Sequence, residues 1–298
     1  MALALGHRLE YGLFRMVEAA AAAASWRQRI ALGVRVGRVW HLVDARHRSV
    51  ARQNAARAFP DWPEGQIVAL VRSNFQHLGA TAAEFLGLPG VSTPELLDRY
   101  RFEGIEHLEE ARSLGRGTLV LTGHLGNWEL ASTALAAKGY PFRAVARKIK
   151  NPWIDRRILG LRSRFGTELI AHRNAVRPVL RALREGGMVA FLLDQRASRR
   201  EAVPSLFFGQ RVSTNQGLAV LALRTGAPVV PGFDERVGDT HVIRFGSAIA
   251  PPAEGPREER VRRLTEVFDA TIEAAVRHCP EQWFWVHRRW RLPKELEG

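Results

Sequence analysis

Two short polar clusters hold the residue types that acid–base chemistry needs. One is Gly123-His124-Leu125-Gly126-Asn127-Trp128-Glu129 and the other is Asp194-Gln195-Arg196. Histidine titrates nearest neutrality, and a carboxylate on one ring nitrogen fixes its tautomer and leaves the other nitrogen as a base. Residues five apart on a continuous helix face different ways. His124 and Glu129 can therefore cooperate only if the histidine lies in a turn and the helix starts near Asn127. His124 would then fold back over the first helical turn, and Glu129 would accept from one imidazole nitrogen. Gly123 and Gly126 permit that tight path. The plainer reading is that Asn127 caps the helix and backbone groups satisfy the histidine. With ten histidines and 30 acids in 298 residues, about one such spacing arises by chance, so placement carries the information.

Other chemistries lack their residues. There is no Gly-x-Ser-x-Gly elbow and no Gly-x-x-x-x-Gly-Lys phosphate loop. Gly115-Arg-Gly117 precedes a strand where a dinucleotide-binding loop would follow one. No His-Glu-x-x-His or His/Asp cluster suggests a metal. The single cysteine, Cys279, stands beside Pro280 near the end of the last helix and reads as a buried residue; alone, it forms no intramolecular disulfide framework. A general base without a protein nucleophile points to direct transfer, in which a deprotonated acceptor hydroxyl attacks an activated carbonyl. That reaction needs no cofactor.

The elements that must position these clusters follow from periodicity. The first hundred residues read as helix: an N-terminal helix with Leu9, Leu13, Met16 and Val17 on one side, a second segment over Ile30–Val39, and an alanine-rich basic helix over 46–59 stopped by Pro60. Asp61-Trp-Pro-Glu64 then reads as a capping box opening a helix that carries Ile67, Leu70, Val71, Phe75, Leu78 and Phe85. From residue 117 strands and helices alternate. Strands are expected at 118–122, 142–146, 188–193, 228–233 and 241–245, with helices at 128–138, 152–165, 176–185, 215–225 and 258–278. This pattern predicts an α/β fold, a mostly parallel sheet flanked by helices, behind a helical N-terminal region. In such a sheet ligands bind at the carboxyl ends of strands, and both clusters directly follow strands. The turn-rich stretch 196–204 reads as a loop, and Phe207 and Phe208 after it are either core or the wall of an apolar tunnel. Two regions are expected, amphipathic helices over 1–45 and a catalytic domain over 46–298.

Composition bounds the partners. The chain has 44 Lys+Arg against 30 Asp+Glu, a net charge of +14, and only four of the basic residues are lysine. Such a balance fits nucleic acid, an anionic membrane surface or a phosphorylated substrate. The basic residues are spread along the chain and no nucleic-acid-binding signature appears, so nucleic acid is not the expected partner. The longest stretches free of charge, 117–128 and 212–223, are too short to span a bilayer. An N-terminal helix pair with Trp26 among arginines suits an anionic interface; ordinary packing helices remain the alternative.

The chain also resembles a family. His124-x4-Glu129 resembles the His-x4-Asp/Glu motif of glycerolipid-type acyltransferases. The surrounding words are similar to the late (lauroyl/myristoyl) acyltransferases of lipid A biosynthesis: Arg48-Ser-Val-Ala-Arg-Gln-Asn54, Ala58-Phe-Pro60, Asn74-Phe75, Glu84-Phe85, Leu192-Leu-Asp-Gln195, Phe207-Phe-Gly209, Leu221 to Val229, Pro280-Glu-Gln-Trp-Phe-Trp285 and His287-Arg-Arg-Trp290. The likeness covers residues 10–292. It implies a glycerol-phosphate-acyltransferase-like fold with a membrane-anchoring N-terminus, at the cytoplasmic face of the inner membrane. It makes His124 the general base and Glu129 its partner, with an acyl-carrier-protein or acyl-CoA thioester as co-substrate. The acceptor is a hydroxyl of a lipid A precursor or, in sister families, of a phosphatidylinositol mannoside or lysolipid. Arg162 matches a family arginine, with Arg164 as the alternative. Asp194 matches the family's acid and is expected to shape the site by holding that arginine. Arg147, Gln195 and Asn127 are expected to bind substrate. Loop 196–204 lacks the glycines that family members often carry there, and Ser205-Leu206 look inserted before Phe-Phe-Gly.

Overall fold

The run Thr118-Leu-Val-Leu-Thr122 is apolar on both faces because it becomes an inner strand covered on both sides. The computed structural model describes residues 2–172, 174–198 and 201–292, the side chains of 2–4 excepted. In chain order the elements are α1 (Ala2–Ala23), α2 (Trp26–Val43), α3 (Ala45–Ala58), α4 (Glu64–Leu86), α5 (Thr93–Leu97), β1 (Tyr100–Glu103), α6 (Ile105–Ser113), β2 (Thr118–Thr122), α7 (Trp128–Ala137), β3 (Phe142–Ala146), α8 (Pro152–Ser163), β4 (Glu168–Ala171), α9 (Val176–Arg184), β5 (Met188–Leu192), β6 (Ala202–Phe207), β7 (Gln210–Asn215), α10 (Gly217–Thr225), β8 (Val229–Val237), β9 (Thr240–Phe245) and α11 (Arg257–His278). Seven strands form one sheet in the order β1-β9-β8-β2-β5-β3-β4, parallel except for β8 against β9. This is the expected α/β class.

Alternation along the strands sorts two cores. Leu119, Leu121, Val189 and Val229 join α9, α10, α11 and the first half of α4 on one face. Val120, Ala190, Val230 and Ile243 join α6, α7 and α8 on the other. A separate antiparallel hairpin, β6–β7, begins inside the loop expected over 196–204 and takes up its last residues. Its two-residue turn is Phe208-Gly209, both at positive φ, which matches the strand twist of a hairpin. Ser205 and Leu206 lie inside β6. Phe207 and Phe208 are core, packed with Phe59, Trp283, Trp285 and Trp290, and form no tunnel wall.

Three further departures have local causes. The capping box at Asp61 does not form: Trp62 stacks on Phe59 and its N–H donates to Phe59 O, so the chain turns there and α4 starts after Pro63. The short strands β1 and β4, at the two sheet edges, carry too few residues to show a period. β8 continues to Val237 because β9 returns beside it, which carries Asp234 and Arg236 into the protein.

The N-terminal helices are docked on the rest. Gly33 and Gly37 of α2 lie against the backbone of Gly79 and Phe75 of α4, so close that a Cβ at either would overlap a carbonyl oxygen. Arg29 caps α1 by donating to the carbonyls of Ala21 and Ala22. Glu18, fully buried, pairs with Arg157 of α8 at 2.6 Å. Among the described residues no helix is long and apolar enough to cross a membrane.

Replacing Gly37 by Ala should therefore lower stability by about 1–3 kcal/mol, the cost of overpacking. Gly12→Ala, where the added methyl meets open space, should be neutral or stabilising by up to about 1 kcal/mol through helix propensity. Urea denaturation of the two variants beside the parent checks both signs.

Candidate functional site

His124 leaves the end of β2 in a turn, Asn127 caps α7 by accepting from Leu130 N–H, and Glu129 falls in the first turn of that helix. So far the sequence expectation holds, but the pairing is different. His124 Nδ1 lies 2.8 Å from Asp194 Oδ1, and the His124 backbone N–H donates to Asp194 Oδ2 at 2.8 Å. Glu129 turns away and takes Arg162 in a two-pronged pair, Nε to Oε2 at 2.8 Å and Nη2 to Oε1 at 2.5 Å. The acid expected to hold the arginine holds the histidine, and the acid expected on the histidine holds the arginine. Register explains the exchange. β2 and β5 are parallel neighbours with Thr122 opposite Leu192, so the chains leaving them place residues 124 and 194 side by side. Arg162, at the end of α8, meets the first turn of α7. Arg164 instead reaches the carbonyls of Pro89 and Val91.

Asp194 is fully buried. Burial opposes its charge, yet the His124 imidazole, the His124 N–H and the Trp283 indole N–H at 2.7 Å outweigh that cost and hold its carboxyl down to about 2. An ionised Asp194 places the imidazole proton on Nδ1 and leaves the Nε2 lone pair free. The ring is held between Trp128 and Phe284, at centroid distances of 5.0 and 5.7 Å. Among the described residues the polar contact of Nε2 is the Gln195 amide nitrogen, at 3.3 Å.

The turn is fixed from behind by a polar network that is buried except for the edge of Arg236. Asp234 accepts from Asn127 N–H at 2.5 Å and from His241 Nδ1 at 2.9 Å. Glu84 of α4 accepts from the Asn127 amide at 2.8 Å, pairs with Arg236 through two hydrogen bonds and lies 3.3 Å from His241 Nε2. Gly126, at φ +60°, admits no side chain, because a Cβ would overlap the Asp234 carbonyl and carboxylate. His77 meets the Gly126 carbonyl at 2.9 Å. Asn127, expected to bind substrate, is instead spent on this network and lines no part of the cavity. The front is fixed by the C-terminal segment. Phe284 N–H donates to His124 O. Asn54 donates to the carbonyls of Trp285 and His287, and Asn74 to those of Glu281 and Trp283. Arg289, paired with Asp269 where both are fully buried, donates to Gln195 O at 3.0 Å. None of these anchors shows in hydrophobic period. Asn54, Asn74 and Glu84 fall inside the quoted family words, but a buried polar side chain leaves no pattern that names its partner.

A cavity of about 720 Å³ opens beside His124. Its lining includes the polar residues His124, Glu129, Arg147, Arg162, Gln195 and Arg196, together with small and apolar residues of the sheet and α7, among them Ala131, Ala144, Ala190, Leu135 and Phe142. The inner strands β3 and β5 are half-buried from Ala144 to Ala146 and at Phe191-Leu192, on both faces, which is unusual for inner strands and follows from the cavity. Lys148 does not line it. Cys279 lies outside it, and burial, with Glu235 nearby, pushes its thiol up to about 12, so it supplies no thiolate. Among the described residues no group of His, Cys, Asp and Glu could hold a metal ion.

Comparison with known proteins places the chain among acyltransferases. It belongs to the bacterial lipid A biosynthesis acyltransferase family, whose model matches residues 11–292. It is 27% identical to a lipid A biosynthesis acyltransferase of Haemophilus influenzae, over 85% of this chain and 78% of that protein. It is 28% identical to the lipid A biosynthesis palmitoleoyltransferase of Escherichia coli (87% and 84%) and 26% identical to a phosphatidylinositol mannoside acyltransferase of Mycolicibacterium smegmatis (80% and 78%).

The buried network sets a pH dependence of stability. Burial disfavours the His241 cation, but Asp234 and Glu84 outweigh it and hold its pKa up to about 9, against an ordinary 6.5. Its contribution is complete below 6.5 and is lost as pH rises toward 9. Burial and Arg236 push His77 down to about 3, so its contribution is present above 6.5 and is lost as pH falls toward 3. Denaturation midpoints should peak near pH 6.5 and decline on both sides; a midpoint that rises steadily from 6.5 to 9 would contradict the His241 assignment.

Proposed function

We propose that the enzyme transfers a fatty acyl chain from an acyl-carrier-protein or acyl-CoA thioester to a hydroxyl of a lipid A precursor, with His124 as general base and no cofactor. The observation that carries this reading is the His124–Asp194 contact through Nδ1, which leaves Nε2 with no acid on it, the Gln195 amide beside it, and a cavity that His124 lines. The acceptor O–H gives its proton to Nε2 as its oxygen attacks the thioester carbonyl carbon. The tetrahedral intermediate then collapses, the C–S bond breaks, and the imidazolium returns the proton to the leaving thiolate. Asp194 holds the tautomer and balances the imidazolium, the role a carboxylate plays in a Ser-His-Asp triad, with the acceptor hydroxyl in the serine's place. Glu129 serves by fixing Arg162, and Arg162, Arg147 and Arg196 offer cations to a phosphorylated glycolipid. The cavity's apolar lining residues suit the acyl chain.

The setting in this reading is the cytoplasmic face of the inner membrane, and α1 and α2 form the membrane-associating region. Leu9, Leu13 and Met16 of α1 and Val36, Val39 and Leu42 of α2 are all more than half exposed. Arg8, Arg15, Arg35 and Arg38 lie among them, the mixture an anionic interface favours. A second acceptor reading, a phosphatidylinositol mannoside, is supported by the M. smegmatis relative, whose identity to this chain is nearly that of the lipid A enzymes.

The test incubates the purified full chain with an acyl-carrier-protein thioester and each acceptor, and follows product by mass spectrometry. One added acyl group on the lipid A precursor is expected. Acylation of the mannoside alone would move the enzyme to the second reading, and acylation of neither would refute the function. Asp194→Asn should lower kcat by about 10²–10⁴ through the wrong tautomer, with KM nearly unchanged.

A further inference from the structure

We infer that the Gln195 side-chain amide is the donor that stabilises the oxyanion of the tetrahedral intermediate; this rests on the acyl-transfer reading above. Gln195 Nε2 stands 3.3 Å from His124 Nε2. With the ring proton held on Nδ1 by an ionised Asp194, Nε2 is a lone pair, and only the NH₂ end of the amide can face it attractively. A base working through Nε2 cannot keep that donor. When the acceptor hydroxyl takes the position on Nε2, the amide is released while still one hydrogen-bond length from the reacting atoms. The carbonyl attacked by the acceptor oxygen then lies within its reach, and the charge gathering on the carbonyl oxygen is what an N–H donor stabilises.

Two features single out this side chain. It lines the cavity with His124, so it meets substrate. Its backbone is not free to drift, because Gln195 O accepts from Arg289, itself fully buried and bound to Asp269 and Thr214. A donor that must wait for a charge is useful in proportion to how little it has to be reorganised. The other strong donor beside His124, Arg162, already spends Nε and Nη2 on Glu129.

The experiment compares the full chain with Gln195→Ala and Gln195→Glu, using the thioester and the acceptor that the parent enzyme acylates. Both variants should lose about 10²–10³ in kcat, keep both KM values within about threefold, and melt with the parent. The acid limb of kcat/KM in Gln195→Ala should move to higher pH, because an N–H donated to Nε2 favours neutral imidazole. The other titrating neighbours of His124, Asp194 and His287, are the same in all three proteins. A Gln195→Ala enzyme with kcat within about threefold of the parent, an unmoved acid limb, or a loss confined to KM would overturn the inference. So would an active Gln195→Glu, which would assign the side chain to the imidazolium instead. A parent that transfers no acyl chain removes the acyl-transfer reading itself, whereas an active parent indifferent to Gln195 removes only this inference.

Discussion

One buried carboxylate organises this site. Asp194 sits at the end of β5 without solvent and receives three N–H donors, from the His124 backbone, the His124 ring and the Trp283 indole. An ionised carboxylate is tolerated in the interior only when such partners replace its water. Those donors come from two parts of the chain: His124, in the turn after β2, gives two of them, and the C-terminal segment after α11 gives the third. Stabilising one charge therefore assembles the site. Gly123 adds a steric condition, since a Cβ there would approach the same carboxylate at 3.3 Å.

The remaining polar anchors serve that assembly. The C-terminal segment can present Trp283 and Phe284 only because Asn54 and Asn74 hold its carbonyls against α3 and α4. The turn can present His124 only because Asp234 and Glu84 hold Asn127 from below. Four charged groups, Glu84, Asp234, Arg236 and His241, balance one another there. Removing one partner would leave a buried charge uncompensated, at a cost of about 3–5 kcal/mol. The helices before the sheet thus help to orient His124, besides carrying the surface proposed to meet the membrane. A protein with net charge +14 keeps these acids inside and paired, and leaves many of its arginines outside.

Much of this was legible in the sequence. The strand at 118–122, the turn through Gly126, the helix starting beside Asn127 and the mostly parallel sheet follow from period and turn chemistry. The family words named His124, Glu129, Arg162 and Asp194. Sequence could not say which acid meets which base, because that depends on the order of strands in the sheet: β5 lies beside β2 although two strands and three helices separate them along the chain. The β6–β7 hairpin was hidden for a different reason. Its turn is Phe208-Gly209, without the Asn-Gly or Asp-Gly that usually marks such a turn, and its arginine-rich approach reads as loop. Asn54, Asn74, Arg289 and His241 are polar residues in the core, where hydrophobic period is silent.

The central claim is that Asp194, and not Glu129, sets the proton on His124. Nitrogen-15 NMR of the His124 ring in the full chain tests it directly, by reading which ring nitrogen carries the proton when the ring is neutral. The account predicts that the neutral form of the ring carries its proton on Nδ1, a tautomer lost in Asp194→Asn and retained in Glu129→Gln. A ring protonated on Nε2, or one that changes with Glu129 and ignores Asp194, would contradict it.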